Sequence, residues 1–209
     1  MVPQEPLFPG FRVIRAPGDG AEVHAVTGGH GPPLLLLHGY AQTHALWHRL
    51  PPPAPPRVSG GCAGPTPRAP GHSRLAGHAR GARVAHRLAV DHGHRVERLA
   101  VLDIAPTLAM YERADMAFAR AYWHWFFLIQ KAPIPETMIG HDPAGYLAFK
   151  MRDRGMGEDP FDPRAWAEYV RCFTPESIHA TCEDYRAAAT IDLEHDRADR
   201  DAGRRVACP

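Results

Sequence analysis

The sequence predicts an α/β fold: a parallel sheet carrying a helical lid. Three observations lead there. Two short segments read as buried parallel strands: residues 33–37, wholly apolar and opening into a loop, and residues 98–104 (RLAVLDI), ending at Asp103. Between them Arg80 to Asp91 has helical spacing, which completes a strand–helix–strand order. From Ala109 to about Arg186 the chain turns helical and aromatic, with Tyr122, Trp123, Trp125, Phe126 and Phe127 close together.

The 209 residues suit one domain, or one domain with an inserted subdomain. With 24 basic and 23 acidic residues the net charge is +1, which argues against a nucleic-acid binder. Hydrophobic residues make up 44% and charged residues 22%, a globular balance. No stretch reaches the roughly 18 apolar residues of a membrane span, and the Pro-broken start has no signal-peptide core. The cysteines (Cys62, Cys172, Cys182, Cys208) are scattered, so a reduced, cytoplasmic protein without disulfides is expected. Lysine is confined to Lys131 and Lys150 against 22 arginines, a bias typical of GC-rich coding sequence.

Taken in order, residues 11–28 read as a strand pair around a Pro-Gly-Asp-Gly turn. Residues 33–37 form a buried strand that opens into His38-Gly39, at the end where ligands of α/β sheets collect. A helix is expected from Thr43 to Leu50, with Leu46, Trp47 and Leu50 on one face. The pattern then breaks: eight of residues 51–70 are Pro, so no helix or strand runs through them. Val23 to Val90 holds seven Arg and no acid, compatible with a linker or a basic recognition segment. Order returns near Gly77. Val84, Leu88 and Ala89 share one side of the following helix. His44 with His48, and Asp192, Glu194, His195 and Asp196, lack a metal-binding motif, so no metal is expected.

The most specific segment is Gly77-His78-Ala79-Arg80-Gly81. Gly-x-nucleophile-x-Gly between a strand and a helix is the elbow of α/β-hydrolases, its glycines allowing a tight turn and close packing. Five stretches extend the match: LLLLHGYAQTHALWHRL, GHARGARVAHRLAVDH, RVERLAVLDIAPTLAMYERADM, YWHWFFLIQ and CEDYRAAATIDLEHD. Through them the chain resembles the haloacetate (fluoroacetate) dehalogenases of the α/β-hydrolase superfamily.

That resemblance implies a cofactor-free reaction of haloacetate with water to give glycolate and halide. An elbow Asp attacks the α-carbon to form an ester, and a His oriented by an acid activates water to hydrolyse it. The elbow position is Ala79, and the triad acid corresponds to Asp103. The substrate carboxylate clamp corresponds to Arg80 and Arg83, whose planar forks suit a carboxylate. The halide contacts correspond to His124, Trp125 and Tyr185, and His38, Gly39 and Tyr40 line the pocket. The expected partner is a small haloacid or carboxylate, with no nucleic acid or membrane; related hydrolases suggest a homodimer.

Departures from the family set further expectations. Ala79 has a methyl group where the family has a carboxylate, so the chain is expected to be inactive. The family's water-activating His falls beyond residue 209, and its Pro after His-Gly-aromatic is Ala41. The interval before the elbow is about thirty residues shorter than the family's. Residues 51–76 have the composition of out-of-frame GC-rich codons. The expectation is therefore an incomplete hydrolase sheet, with an inner strand and the C-terminal strands missing. Residues 1–50 and 77–106 form the core, 107–190 the lid, and 191–209 a truncated return toward the core. RLAVLDI is left as a bare apolar edge, which implies marginal stability and poor solubility.

On residue type alone other roles stay open. Arg80 and Arg83 read as solvated helix charges, Asp103 as a turn residue, His124 and Trp125 as an aromatic core stripe, and Tyr185 as a buried lid tyrosine. An epoxide hydrolase would keep the fold and the elbow Asp without needing the arginines. A non-catalytic binder of small carboxylates would need only the arginines and the lid pocket.

Overall fold

The alternating segments near the N-terminus form an antiparallel pair, β1 (Arg12–Pro17) and β2 (Glu22–Thr27), in register from Arg12 opposite Thr27 to Pro17 opposite Glu22. This computed structural model describes residues 7–18, 22–30, 32–50, 73–152 and 159–209. The Pro-rich tract and the frame expectation attached to it lie, up to residue 72, outside the described residues.

A separate parallel sheet holds β3 (Leu34–Leu37), β4 (Ser73–His78) and β5 (Val96–Leu102), with β4 in the middle. The period of two decides what each face buries. Leu37 and Leu75 cluster with Ala85, Ala89 and Val96 on the side of helix α1 (Arg80–Asp91). Leu36 and Ala76 turn the other way, against Trp47, Phe8 and Phe11. Val96 and Leu99 lie three apart yet serve the same cluster, because the register shifts opposite Ser73 and Arg74 and sets Glu97 out of the pairing. Full burial of each such Leu or Val stabilises by about 1.5–3 kcal/mol.

Two sequence expectations change here. The central strand starts at Ser73, inside the segment read as aberrant up to residue 76. Ser and Arg at its start disguise it, yet Leu75 is buried between β3 and β5. The expected helix over 43–50 is a single 3₁₀ turn, His44–Trp47. Thr43 caps it by accepting from Ala45 N at 3.2 Å, and Pro51 disfavours helical backbone at Leu50.

The β5 edge is only partly bare. Leu99 N donates to Pro209 O at 3.0 Å, and Val206 and Cys208 pack on the core cluster, while Val101 and Leu102 remain exposed.

The chain divides into two units, residues 1–104 with 205–209, and Ala105–Arg204. The second is helical: α2 (Thr107–Glu112), α3 (Met116–Ala121), α4 (Trp123–Leu128), α5 (Ile134–His141), α6 (Pro143–Met151), α7 (Pro163–Cys172), α8 (Pro175–Ala188) and α9 (Ile191–Asp201). Three start alike. Asp142, Asp162 and Thr174 each cap the helix that follows and each is followed by Pro, whose fixed φ suits the first helical position. The unit runs past residue 190 because α9 belongs to it: Asp196 accepts from Leu108 N at 3.2 Å, and Arg200 pairs with Glu112 at 3.0 Å. Among the described residues no helix is long and apolar enough to cross a membrane.

Where α1 starts there is no room for a side chain at Gly77 or Gly81. A Cβ on Gly77 would sit 2.5 Å from the backbone of Ala82, and one on Gly81 would overlap the carbonyls of Leu37 and His38. Gly81→Ala is therefore expected to destabilise the protein by about 1–3 kcal/mol, read as a lower urea midpoint. An unchanged midpoint would contradict this packing.

Candidate active site

In the core unit the site is built at the C-terminal ends of three parallel strands. Between β4 and α1, Ala79 has φ 48° and ψ −116°, a backbone region in which side chains are strained. Its N–H donates to Leu102 O at 2.9 Å, and its carbonyl accepts from Ala82 N at 3.0 Å. The turn is thus held from β5 on one side and by the first turn of α1 on the other. A Cβ on Gly39 would stand 2.8 Å from that of Ala79, so the His38-Gly39-Tyr40 loop lies directly beside the elbow. His38 Nδ1 lies 3.1 Å from Gly39 O, and the Tyr40–Ala41 peptide is cis.

The elbow places Arg80 and Arg83 in the first turn of α1. Arg83 is only 8% exposed, so it is not a solvated helix charge. Arg80 is half-buried. The planar fork of a guanidinium is suited to a carboxylate through paired, charge-assisted hydrogen bonds.

Asp103 follows β5 at φ 57°, a left-handed conformation that Asp tolerates, and it is exposed. His78 Nε2 lies 3.8 Å from Asp103 Oδ2. Sequence reasoning passed over His78, although its place just before the elbow at the end of β4 was a usable signal.

In the helical unit, His124 and Trp125 lie on the buried face of α4 with Leu128. Tyr185 lies on the buried face of α8 with Ile178, Cys182 and Ala188, at spacings of four, three and three. The structure brings these three rings together. Tyr185 is 5.9 Å from His124 and 6.0 Å from Trp125, edge-on to both, and Tyr111 packs on Trp125 at 5.2 Å. Their imidazole, indole and phenol groups can all donate hydrogen bonds in an otherwise apolar setting.

Among the described residues one group has ligand atoms close enough for a metal: Glu136, His179 and Glu183. Neither His44 nor His48 is in it, and His48 Nδ1 lies 2.7 Å from Ala45 O. The cluster already has a resident cation. Arg186 reaches Glu136 at 2.8 Å and Glu183 at 2.6 Å. The guanidinium hydrogen bond is the main cause of a Glu136 pKa lowered from 4.5 to about 2.

No protein-family profile matches the chain. At 40% identity over 237 aligned positions it is similar to a fluoroacetate dehalogenase of a Burkholderia species, covering 97% of this chain and 77% of the relative. That alignment is longer than the 209-residue chain, so the relative carries residues within it that have no counterpart here. A soluble epoxide hydrolase of a Corynebacterium species is 27% identical, over 85% of this chain and 72% of the relative. Among solved structures, a protein of Nostoc sp PCC 7120 provisionally described as an α/β hydrolase matches with a TM-score of 0.85 and 44% identity, over 95% of this chain and 79% of its own. One from Pseudomonas aeruginosa, provisionally described as an epoxide hydrolase, matches at 0.87 and 37%, over 99% and 79%. The sheet with its helical unit is therefore an α/β-hydrolase fold, partial beside these longer chains.

Two outcomes follow. Ala79→Gly relieves the strained φ at the cost of a more flexible unfolded chain, for a net gain of about 1 kcal/mol in denaturant unfolding; a loss of stability would contradict the strain. Because the folded-state pKa of Glu136 is depressed, its contribution is complete above about pH 4.5 and is lost as pH falls toward 2. The stability difference between the protein and Glu136→Gln should shrink across that window, and a constant difference would remove Glu136 as its source.

Proposed function

The chain belongs to the fluoroacetate dehalogenase family, and on that premise we propose that its site takes small 2-haloacids or related carboxylates. By the family resemblance, Arg80 and Arg83 of the core unit correspond to the residues that hold the carboxylate, and His124, Trp125 and Tyr185 of the helical unit to those that receive the halide. In the family reaction a carboxylate oxygen at the elbow attacks the α-carbon, the carbon–halogen bond breaks with its electron pair leaving on the halide, and water then cleaves the ester. Three donors at the halide stabilise charge that appears only in the transition state. Here position 79 carries a methyl group, so no ester forms at the elbow and the covalent route is closed. The chain as written binds its carboxylate ligand without turning it over by that route.

The observation that carries this reading is the buried Arg83 one turn beyond the strained elbow. The epoxide hydrolases among the relatives favour a second reading, in which the substrate is an epoxide. An epoxide carries no carboxylate and needs no clamp of adjacent arginines, so Arg80 and Arg83 favour the haloacid.

Restoring the nucleophile gives the test. Ala79→Asp incubated with a haloacetate should gain one carboxymethyl group on residue 79, located by peptide mass spectrometry, while the unmodified chain gains none there. Adding Arg83→Met should raise the half-saturating haloacetate concentration roughly 10- to 100-fold, the worth of a charge-assisted hydrogen bond. An adduct that forms equally well without Arg83 would exclude the carboxylate clamp. Calorimetric titration of the unmodified chain with glycolate should show binding that Arg83→Met abolishes.

A further inference from the structure

We propose that Arg186 is a positioning residue, whose guanidinium sets Tyr185 against His124 and Trp125 by fastening α8 to the chain that leaves α4. The proposal rests on the dehalogenase reading of those three rings.

Arg186 follows Tyr185 directly, so any rotation of α8 that moves one moves the other. Its Nε and Nη2 both donate to the carbonyl of Gln130, at 3.0 and 2.7 Å. That carbonyl lies two residues beyond the end of α4 and five beyond Trp125. Gln130 is itself tied back to α4, its Nε2 donating to Phe126 O at 2.7 Å. The remaining edge of the guanidinium is held by Glu136, with Nη1 at 2.8 Å and Nη2 at 3.2 Å, and by Glu183 at 2.6 Å. All three nitrogens are used, and both Glu136 and Arg186 are little exposed, at 15% and 17% of their side chains.

The physical distinction is between direction and burial. Ile178, Cys182, Tyr185 and Ala188 drive α8 inward, but apolar burial is non-directional and tolerates a few degrees of helix rotation. A fork on one carbonyl does not, since hydrogen bonds weaken steeply off axis. Glu136 stays ionised to about pH 2, so the brace persists over the usable pH range. A lysine in its place would keep the charge beside Glu136 and Glu183 but could not present the planar fork to Gln130.

The experiment uses the leaving group as its readout. Fluoride is a poor leaving group and depends on its hydrogen-bond donors, whereas bromide departs readily with little help. In the Ala79→Asp chain, adding Arg186→Lys should slow alkylation of residue 79 by saturating fluoroacetate on the order of 10- to 100-fold. The half-saturating concentration should hold, because the carboxylate clamp is untouched, and bromoacetate should be slowed far less. Glu136→Gln, which leaves Arg186 in place but loosens it, should give a smaller loss in the same direction. Equal slowing with both haloacetates, or none, would overturn the positioning role and leave the dehalogenase reading standing. No adduct at residue 79 from either haloacetate in the Ala79→Asp chain would remove both.

Discussion

The packing of the first turn of α1 against the ends of β3 and β4 is the constraint on which the core unit depends. It leaves no space for a side chain at Gly77 or Gly81, and the two glycines let the helix start almost against the sheet. A chain that must leave β4 and enter α1 in so short a distance has to turn sharply, and the residue at the corner takes up the strain. That residue is Ala79 at φ 48°. The corner is kept although its side chain is a methyl group. The geometry therefore follows from helix–sheet packing and does not depend on a nucleophile being present.

The same corner distributes charge. Arg83 is buried in the first turn of α1, the turn whose Gly81 lies against the carbonyls of Leu37 and His38. At the neighbouring strand end His78 and Asp103 stand 3.8 Å apart. The arginines of α1 and the His78–Asp103 pair thus flank a position that contributes no charge itself. In the helical unit the opposite logic holds. Its reactive-looking rings are buried among aromatics, and among the described residues the close cluster of Glu136, His179 and Glu183 is occupied by the guanidinium of Arg186, which makes it a fastening between helices.

Much of the fold was legible because it is periodic. The alternation of residues 11–28, the apolar runs at 33–37 and 98–104, and the spacing of Val84, Leu88 and Ala89 all led to elements that the structure contains. Two misreadings have local causes. Ser73 and Arg74 open β4 immediately after a Pro-rich tract, so polar residues hid a strand whose burial comes from its neighbours on both sides. Residues 43–50 have a helical face, yet they form one 3₁₀ turn because proline follows. The helical unit was recognised only as a block. Its internal starts were nevertheless written in the sequence, as Asp-Pro, Asp-Pro and Thr-Pro at residues 142, 162 and 174.

The sequence by itself determined which chemistry is available: two arginines at elbow spacing, a methyl group between the elbow glycines, and an imidazole, an indole and a phenol in aromatic company. These are properties of residue type and short-range order. Tertiary structure alone decided that Arg83 is buried, that His78 meets Asp103, and that Arg186 grips a carbonyl 56 residues away. Periodicity tells a helix which face to bury, through a force that has no direction. Which polar groups then meet is settled only when rigid elements pack, because a hydrogen bond forms within a few tenths of an ångström or not at all.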